Sequence, residues 1–145
     1  MPAPATLFHL AFPVHDLKSA RRFYVQGLGC RPGRASDHSL ILNLRGNQIV
    51  AQRADEGASR QKGIYPRHFG LVFRKLTDWQ ALARRVAKKG LKFYQKPRVR
   101  YEGTPIEHRT FFLEDPSGNL LEFKHYSKSS AIFGLKSYKK VGDRR

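Results

Sequence analysis

One local pattern occurs twice along this chain, and that repeat constrains the fold more than any other feature. In each half a short apolar run that contains a histidine leads into an amphipathic helix, and three strand-like stretches follow. The repeat therefore predicts two β-α-β-β-β modules. The apolar runs span residues 8–14 and 68–73; the later strands span residues 31–35, 39–43 and 48–53 in the first half and 92–98, 108–114 and 119–125 in the second.

The helix boundaries follow from capping residues. Asp16 is the predicted N-cap of the first helix, and Thr77 or Asp78 that of the second. One module of this size buries too little apolar surface to be stable alone. We therefore expect the two sheets to pack together and bury both helices. The predicted fold class is α+β, with paired βαβββ modules that form a cup-shaped curved mixed sheet.

The predicted boundaries divide the chain into four parts. The first module spans residues 1–53 and the second residues 67–126, and a polar, glycine-containing linker at residues 54–66 joins them. A basic C-terminal tail occupies residues 127–145. Its apolar sequence IFGL, at residues 132–135, is a candidate docking segment.

Composition excludes several classes of protein. Cys30 is the only cysteine, which excludes an intrachain disulfide or a cysteine-based metal site and fits a reducing cytoplasm. No apolar run is long enough to cross a membrane, and no signal peptide is recognisable, so we expect a cytoplasmic protein without a membrane partner. The net charge of +17 comes from scattered Lys and Arg residues without a nucleic-acid-binding motif. A solvated basic surface is therefore the preferred interpretation, and nucleic acid is not the expected partner.

Three residues stand out as candidate metal ligands. His9 and His68 occupy the same place in the first strand of each module, and Glu122 lies in the last strand of the second. Aligning residues 46–50 with residues 118–122 puts Val50 at the position equivalent to Glu122. Two imidazoles and one carboxylate form the facial triad of non-haem Fe(II) sites, although Zn²⁺ and Ni²⁺ accept the same donors. The structural alternative is a Glu122 side chain that pairs with a neighbouring basic residue.

A family resemblance rests on three stretches: FHLAFPVHDLKSARRFYVQGLG, RHFGLVF and FFLEDPSGNLLEF. Over about residues 6 to 126 the chain resembles the vicinal oxygen chelate superfamily, which contains glyoxalase I, the bleomycin-resistance proteins and the type I extradiol dioxygenases. The resemblance implies His9, His68 and Glu122 as metal ligands, a small-molecule substrate and a homodimer, with modules paired within one chain or between two chains. Glyoxalase I has a fourth ligand where this chain has Val50, and Gln48 or Gln52 on the same strand face is the alternative ligand.

The three-ligand pattern favours one activity. It resembles the dioxygenases more than glyoxalase I, so the expected enzyme is an Fe(II)- and O₂-dependent extradiol-type dioxygenase acting on a small chelating, diol-like aromatic substrate. A glyoxalase-type lyase or isomerase is the runner-up, with Zn or Ni, and Mn is a further candidate metal. A non-catalytic small-molecule binding protein is the third interpretation.

The general acid or base is less well marked in the sequence. Phe112 stands where the dioxygenase signature has a tyrosine that can hydrogen-bond a phenolate. His108 is the first candidate for acid–base catalysis and Tyr101 the second. A purely structural role at the start of a strand is the alternative for His108.

Overall fold

Each half of the chain forms one four-stranded sheet in the computed structural model, which describes residues 4–55 and 60–142. Every strand lies within about two residues of its predicted position. The first sheet contains β1 (His9–Val14), β2 (Arg31–Ala35), β3 (Ser39–Leu44) and β4 (Asn47–Arg53), and the second contains β5 (Phe69–Val72), β6 (Phe93–Arg100), β7 (His108–Glu114) and β8 (Leu120–Tyr126).

The two sheets have the same topology. Their strand orders are β1-β4-β3-β2 and β5-β8-β7-β6, and in each the first strand runs parallel to the last while the other pairs are antiparallel. Ala11 pairs with Val50 in the first sheet, and Gly70 pairs with Glu122 in the second. This register agrees with the sequence alignment of the repeat, and the predicted α+β class is confirmed.

The helices follow β1 and β5. Helix α1 (Leu17–Arg21) continues as a π-helical segment (Arg22–Gly27), and the Asp16 carboxylate accepts the Ser19 N–H at 2.8 Å as its predicted N-cap. Helix α2 (Leu76–Lys88) begins after Lys75, so the prediction of a cap at Thr77 or Asp78 was wrong. Leu76 packs against the core, and this contact extends the helix N-terminally past the polar residues. In the described ranges no helix combines the length and apolar character needed to span a bilayer.

Both modules contribute to one core. Trp79, Leu82 and Val86 of α2 are buried in the same cluster as Phe23 and Tyr24, which lie in the π-helical segment of the first module. Each large apolar side chain removed from water stabilises the fold by about 1.5–3 kcal/mol. Since this core contains side chains from both modules, the two sheets share it on one face and turn the other face outward.

The turn between β7 and β8 joins the two modules through a buried carboxylate. Asp115 Oδ1 accepts the backbone N–H groups of Ser117 and Asn119 at 2.9 and 2.8 Å. Its Oδ2 accepts the Tyr24 hydroxyl at 2.7 Å and the Asn119 side-chain amide at 2.8 Å. That amide also donates to the Pro13 carbonyl at 2.8 Å. The turn is thereby bonded to the first strand and first helical region of the other module.

The substitution Asp115→Asn tests this junction. An asparagine offers only one acceptor oxygen to four donors and turns its own NH₂ group toward them, so buried donors lose their partners. We expect the free energy of unfolding to fall by at least about 2 kcal/mol in urea denaturation. The matched control Asp16→Asn, at an exposed N-cap where both residues cap well, changes it by less than about 0.5 kcal/mol. Equal effects of the two substitutions would contradict the junction.

Candidate metal centre

The outward face of the second sheet carries a carboxylate with three polar neighbours. Glu122 Oε1 lies 3.2 Å from His68 Nε2, and Oε2 accepts the Thr110 hydroxyl at 2.6 Å. Lys124 Nζ lies 3.8 Å from Oε1. Residues 122 and 124 share this face because alternate residues of a strand point the same way, and Thr110 on β7 pairs directly with Lys124. The carboxylate is therefore held in place from both sides.

The His68 ring is fixed by a segment that the sequence predicted to be a polar linker. His68 Nδ1 donates to the Ile64 carbonyl at 2.6 Å, and the ring meets the Phe112 ring edge-on at 5.2 Å. Ile64 is buried against Phe112 and Leu120. The later part of the linker thus covers one side of the site, whereas its residues 56–59 lie outside the described residues. With Nδ1 carrying the proton, Nε2 is the nitrogen aimed at Glu122.

The electrostatics of the pair favour positive charge between the two groups. The hydrogen bond to Glu122 raises the pKa of His68, and burial opposes that shift. Burial is the largest single influence on Glu122 and pushes its pKa upward. The hydrogen bond from His68, the charge of Lys124 and the hydrogen bond from Thr110 outweigh it, so the pKa of Glu122 is lowered. A proton shared between Nε2 and Oε1 is thus stabilised.

Gly70 sets the position of the glutamate backbone. A Cβ atom at Gly70 would lie 1.6 Å from the carbonyl oxygen of Glu122, its partner in the parallel pair. Only glycine allows β5 to approach β8 this closely. The first module has Ala11 at the equivalent position, beside Val50. The small residue at position 70 thus makes room for the backbone of the neighbouring strand.

His9 lies on the outward face of the first sheet, apart from the other two candidates. It is exposed, and its Nδ1 lies 2.8 Å from Gln48 Oε1, its neighbour across the parallel pair. Among residues 4–55 and 60–142, no three His, Cys, Asp or Glu side chains come close enough together to bind a metal ion. A single chain therefore brings His68 and Glu122 together and leaves His9 separate.

The candidates for a fourth ligand differ in their surroundings. Gln48 touches His9, whereas the Gln52 side chain accepts a hydrogen bond from the Ser39 hydroxyl. Val50, between them on the same strand face, is buried and has no donor atom. Of the two glutamines, only Gln48 has its amide oxygen at a candidate ligand.

His108 lies on the same face as Glu122, further along β7, and Tyr101 lies beside it in the loop after β6. His108 pairs with Tyr126 and lies four residues along β7 from Phe112, which pairs with Glu122. Its Nδ1 donates to the Ile106 carbonyl at 3.0 Å, and burial, the main cause, lowers its pKa. The Tyr101 ring lies 5.9 Å from the His108 ring, and its hydroxyl donates to the carbonyl of Gly142.

Thr110, Lys124 and the Ile64 carbonyl are site groups that the sequence did not single out. The first two were detectable in principle, because they follow the period of two that begins at His108 and at Glu122. The carbonyl carries no side-chain signal at all.

Comparison with known proteins identifies the family. The sequence profile of the Glyoxalase/Bleomycin resistance protein/Dioxygenase superfamily matches residues 6–123. A glyoxalase/bleomycin resistance protein/dioxygenase from Alicyclobacillus acidocaldarius is 41% identical, with a TM-score of 0.85 over 92% of this chain and 100% of that chain. The chain belongs to this superfamily.

More distant structures share the fold alone. The fosfomycin resistance protein FosX from Listeria monocytogenes is 16% identical, with a TM-score of 0.66 over 88% of this chain and 98% of that chain. FosX from Mesorhizobium loti is 20% identical, with a TM-score of 0.64 over 89% and 98%. No curated protein sequence matches the chain. Divalent metal ions and small-molecule substrates are general in the superfamily, which includes enzymes of several reaction classes.

Replacing Glu122 by Gln in chelator-treated protein tests the electrostatic pair. The folded pKa of His68 is raised above 6.5, so its contribution to stability is lost as pH rises through that folded value. The folded pKa of Glu122 is lowered below 4.5, so its contribution is lost as pH falls through that value. We expect the Tm difference between wild type and Glu122→Gln to be largest between about pH 4.5 and 6.5.

An NMR titration of the His68 ring gives a direct measurement of the same pair. The pKa of His68 falls in Glu122→Gln because the hydrogen-bonded carboxylate is gone. Glu114→Gln is the matched control, since Glu114 pairs with Arg60 and Lys92 instead. An unchanged His68 titration in Glu122→Gln would contradict the pairing.

Proposed function

We propose that this protein is a metal-dependent enzyme whose divalent ion is bound by His68 and Glu122 of one subunit and by His9 of the partner subunit in a homodimer. The observation that carries the proposal is the placement of the two imidazoles. In each, a carbonyl oxygen faces Nδ1, from Ile64 at His68 and from Gln48 at His9, so that in the neutral ring Nε2 has the lone pair. An oriented Nε2 with an outer hydrogen bond at Nδ1 is the usual arrangement of a metal-binding histidine.

The surface around His9 supports a second copy of the chain as the source of the third ligand. In the described residues β1 pairs only with β4 and β5 only with β8, so each presents one unpaired edge. Leu7 and Phe8, directly before His9, are 60% and 63% exposed, and Val72 on β5 is 40% exposed. Apolar side chains beside open strand edges favour association with another subunit. Contact with another subunit is required for a shared site, because His9 lies apart from His68 and Glu122 of its own chain.

The donor set fits a borderline or hard divalent ion. Two neutral imidazoles and one carboxylate, without a thiolate, suit iron, manganese, zinc or nickel, and three ligands on one side leave positions for substrate. When bound, such an ion lowers the pKa of coordinated hydroxyl groups, and iron in addition binds O₂. Thr110 and Lys124 orient the Glu122 carboxylate, and the Ile64–Phe112–Leu120 cluster excludes water from the side of His68.

We propose His108 as the acid–base group, with Tyr101 as its neighbour. The lowered pKa of His108 keeps its imidazole neutral at pH 7, and its hydrogen bond to Ile106 leaves Nε2 able to accept a proton. Tyr101 orients the chain near Gly142 through its hydroxyl. Dioxygenation of a small, diol-like aromatic substrate by Fe(II) and O₂ is the reaction we propose first, on the strength of the three-ligand set.

Gln48 supports a second candidate reaction. Its amide oxygen lies beside His9, where a small shift of the side chain gives a fourth ligand. Four protein ligands with Zn or Ni would favour a glyoxalase-type lyase or isomerase. Gln48 as an orienting partner of His9 is the arrangement expected for the dioxygenase.

Metal analysis of paired variants tests the shared site. Alanine at His9, His68 or Glu122 lowers the metal content of the purified dimer by more than tenfold, whereas the control His38→Ala does not. When His9→Ala and Glu122→Ala chains are mixed, each heterodimer regains one intact site of two. The purified heterodimer therefore holds about half of the wild-type metal content, and a random one-to-one mixture about a quarter. Metal loss in the single variants without recovery in the mixture would contradict sharing between chains. Unchanged metal in the single variants would contradict the ligand set itself.

The variant Gln48→Ala separates the two reactions, with Gln52→Ala as its matched control. For the dioxygenase we expect bound iron, O₂ uptake with a panel of catechols, and a loss of metal affinity of about 10- to 100-fold in Gln48→Ala, as for an outer hydrogen bond to a ligand. Bound zinc or nickel with turnover of a hemithioacetal, abolished by Gln48→Ala, would contradict the dioxygenase and establish the second reaction.

A further inference from the structure

The last part of the described chain folds back over the outward face of the second sheet. Residues 127–142, here called the C-terminal segment, begin with a bond from the Ser127 N–H to the Glu107 carbonyl at 3.1 Å. At the far end the Gly142 carbonyl accepts the Tyr101 hydroxyl and an Arg100 N–H. Both ends are thus attached to the β6–β7 hairpin and its loop. This segment lies beyond residue 123, where the superfamily profile ends.

A cavity of about 300 Å³ lies between this segment and the sheet. Its walls include the rings of Tyr101, Tyr126 and Tyr138 and the side chains of Ile106 and Ile132. The volume is at the lower end of small-molecule pockets and about twice that of a protein cavity known to bind benzene. One substituted aromatic ring is therefore the size of ligand that the cavity admits.

His108 gives the cavity a hydrogen-bond acceptor on its wall. The residue is only 4% exposed and lines the cavity. Its Nδ1 donates to the Ile106 carbonyl, so Nε2 is unprotonated in the neutral ring, and Nε2 has no hydrogen-bond partner among the described residues. A ligand that fills the cavity can satisfy this nitrogen only by donating, as a hydroxyl group does.

Lysines supply the charge at the same cavity. Lys136 and Lys140 line it, and no acidic side chain is among its described lining residues. Lys139, between them in sequence, is exposed and does not line it. An anionic group on the ligand is therefore attracted by two cations without competition from a carboxylate on the wall.

We propose that this cavity binds a hydroxylated aromatic acid, with its ring among the tyrosines, its hydroxyl donating to His108 Nε2 and its acid group paired with Lys140. The inference deepens the proposed function, because it makes the cavity the part of the active site that selects the substrate. Position 108 is about 13 Å from position 112 along β7, and Phe112 pairs with Glu122, so ligand and metal ligands lie on one face. The charge of Glu122 also contributes to the pKa of His108.

Isothermal titration of chelator-treated, full-length protein with para-hydroxybenzoate tests the cavity without a metal or an activity assay. We expect saturable binding of one molecule per chain. Benzoate lacks the donor, para-hydroxybenzyl alcohol lacks the charge, and para-hydroxycyclohexanecarboxylate lacks the aromatic ring; each is expected to bind about tenfold more weakly. Absence of saturable binding, or equal affinity for the uncharged alcohol, would overturn the proposal.

A pair of neighbouring lysine variants locates the binding. Lys140→Met weakens para-hydroxybenzoate binding about tenfold, whereas Lys139→Met, with the same loss of net charge, leaves it unchanged. Equal effects of the two would mean that the anion responds only to the overall charge and would overturn the site. His108→Phe, which fills the same space without an acceptor, removes the preference for para-hydroxybenzoate over benzoate; a retained preference would overturn the role of Nε2.

Failure of the aromatic-acid site can be distinguished from failure of the metal site. Metal content is measured on protein purified without chelator and aromatic-acid binding on chelator-treated protein, so the two sites are scored independently. A protein that binds para-hydroxybenzoate as described but never retains metal would refute the proposed function and keep the binding site. A protein that retains metal but does not bind the acid would refute the binding site and keep the proposed function.

Discussion

The carboxylate of Asp115 is the group on which the arrangement of the site depends. Four hydrogen bonds converge on it, from two backbone N–H groups of its own turn, the Asn119 amide and the Tyr24 hydroxyl. The turn therefore has one conformation, and β8 leaves it in one register. Because a one-residue shift moves every side chain of a strand to the other face, this turn decides that Glu122 points outward and Phe123 into the core. Tyr24 makes the register of the second module depend on correct packing of the first.

The close approach of β5 to β8 then brings the imidazole to the carboxylate. Gly70 allows the backbone of Glu122 to occupy the space that a side chain would otherwise fill. His68 lies two residues before Gly70, directly before the start of β5. The Ile64 carbonyl turns the ring so that Nε2 meets Oε1. These contacts explain why His68 and Glu122 meet within a single chain.

The sequence predicted most of the fold because the repeat states the same pattern twice. Strand alternation and the Asp16 cap were sufficient for the β-α-β-β-β order, and the DPSGN turn for the register of Glu122. Local rules failed where tertiary packing decides, as at Leu76, which extends α2 past the polar residues expected to cap it. The tail was marked only by IFGL as a candidate docking segment. Neither the packing of Ile64 onto the sheet nor the bond from Tyr101 to the Gly142 carbonyl was predicted, because both contacts are long-range and involve few side chains.

The high positive charge has a specific consequence at the outward face of the second sheet. A divalent ion bound by one carboxylate and two neutral imidazoles leaves a net charge of +1 at the proposed centre. Lys124 lies beside it, and Lys136 and Lys140 line the neighbouring cavity, while Glu122 is already engaged by His68 and Thr110. Because positive charge predominates among these residues, an anionic ligand gains more electrostatic energy from binding here than a neutral or cationic ligand does.

The same excess of positive charge would weaken the binding of a free metal ion, since a dication must approach a protein of charge +17. Metal and anionic substrate should therefore bind cooperatively, each lowering the electrostatic cost of the other, and this coupling follows from charge alone whichever reaction the ion performs.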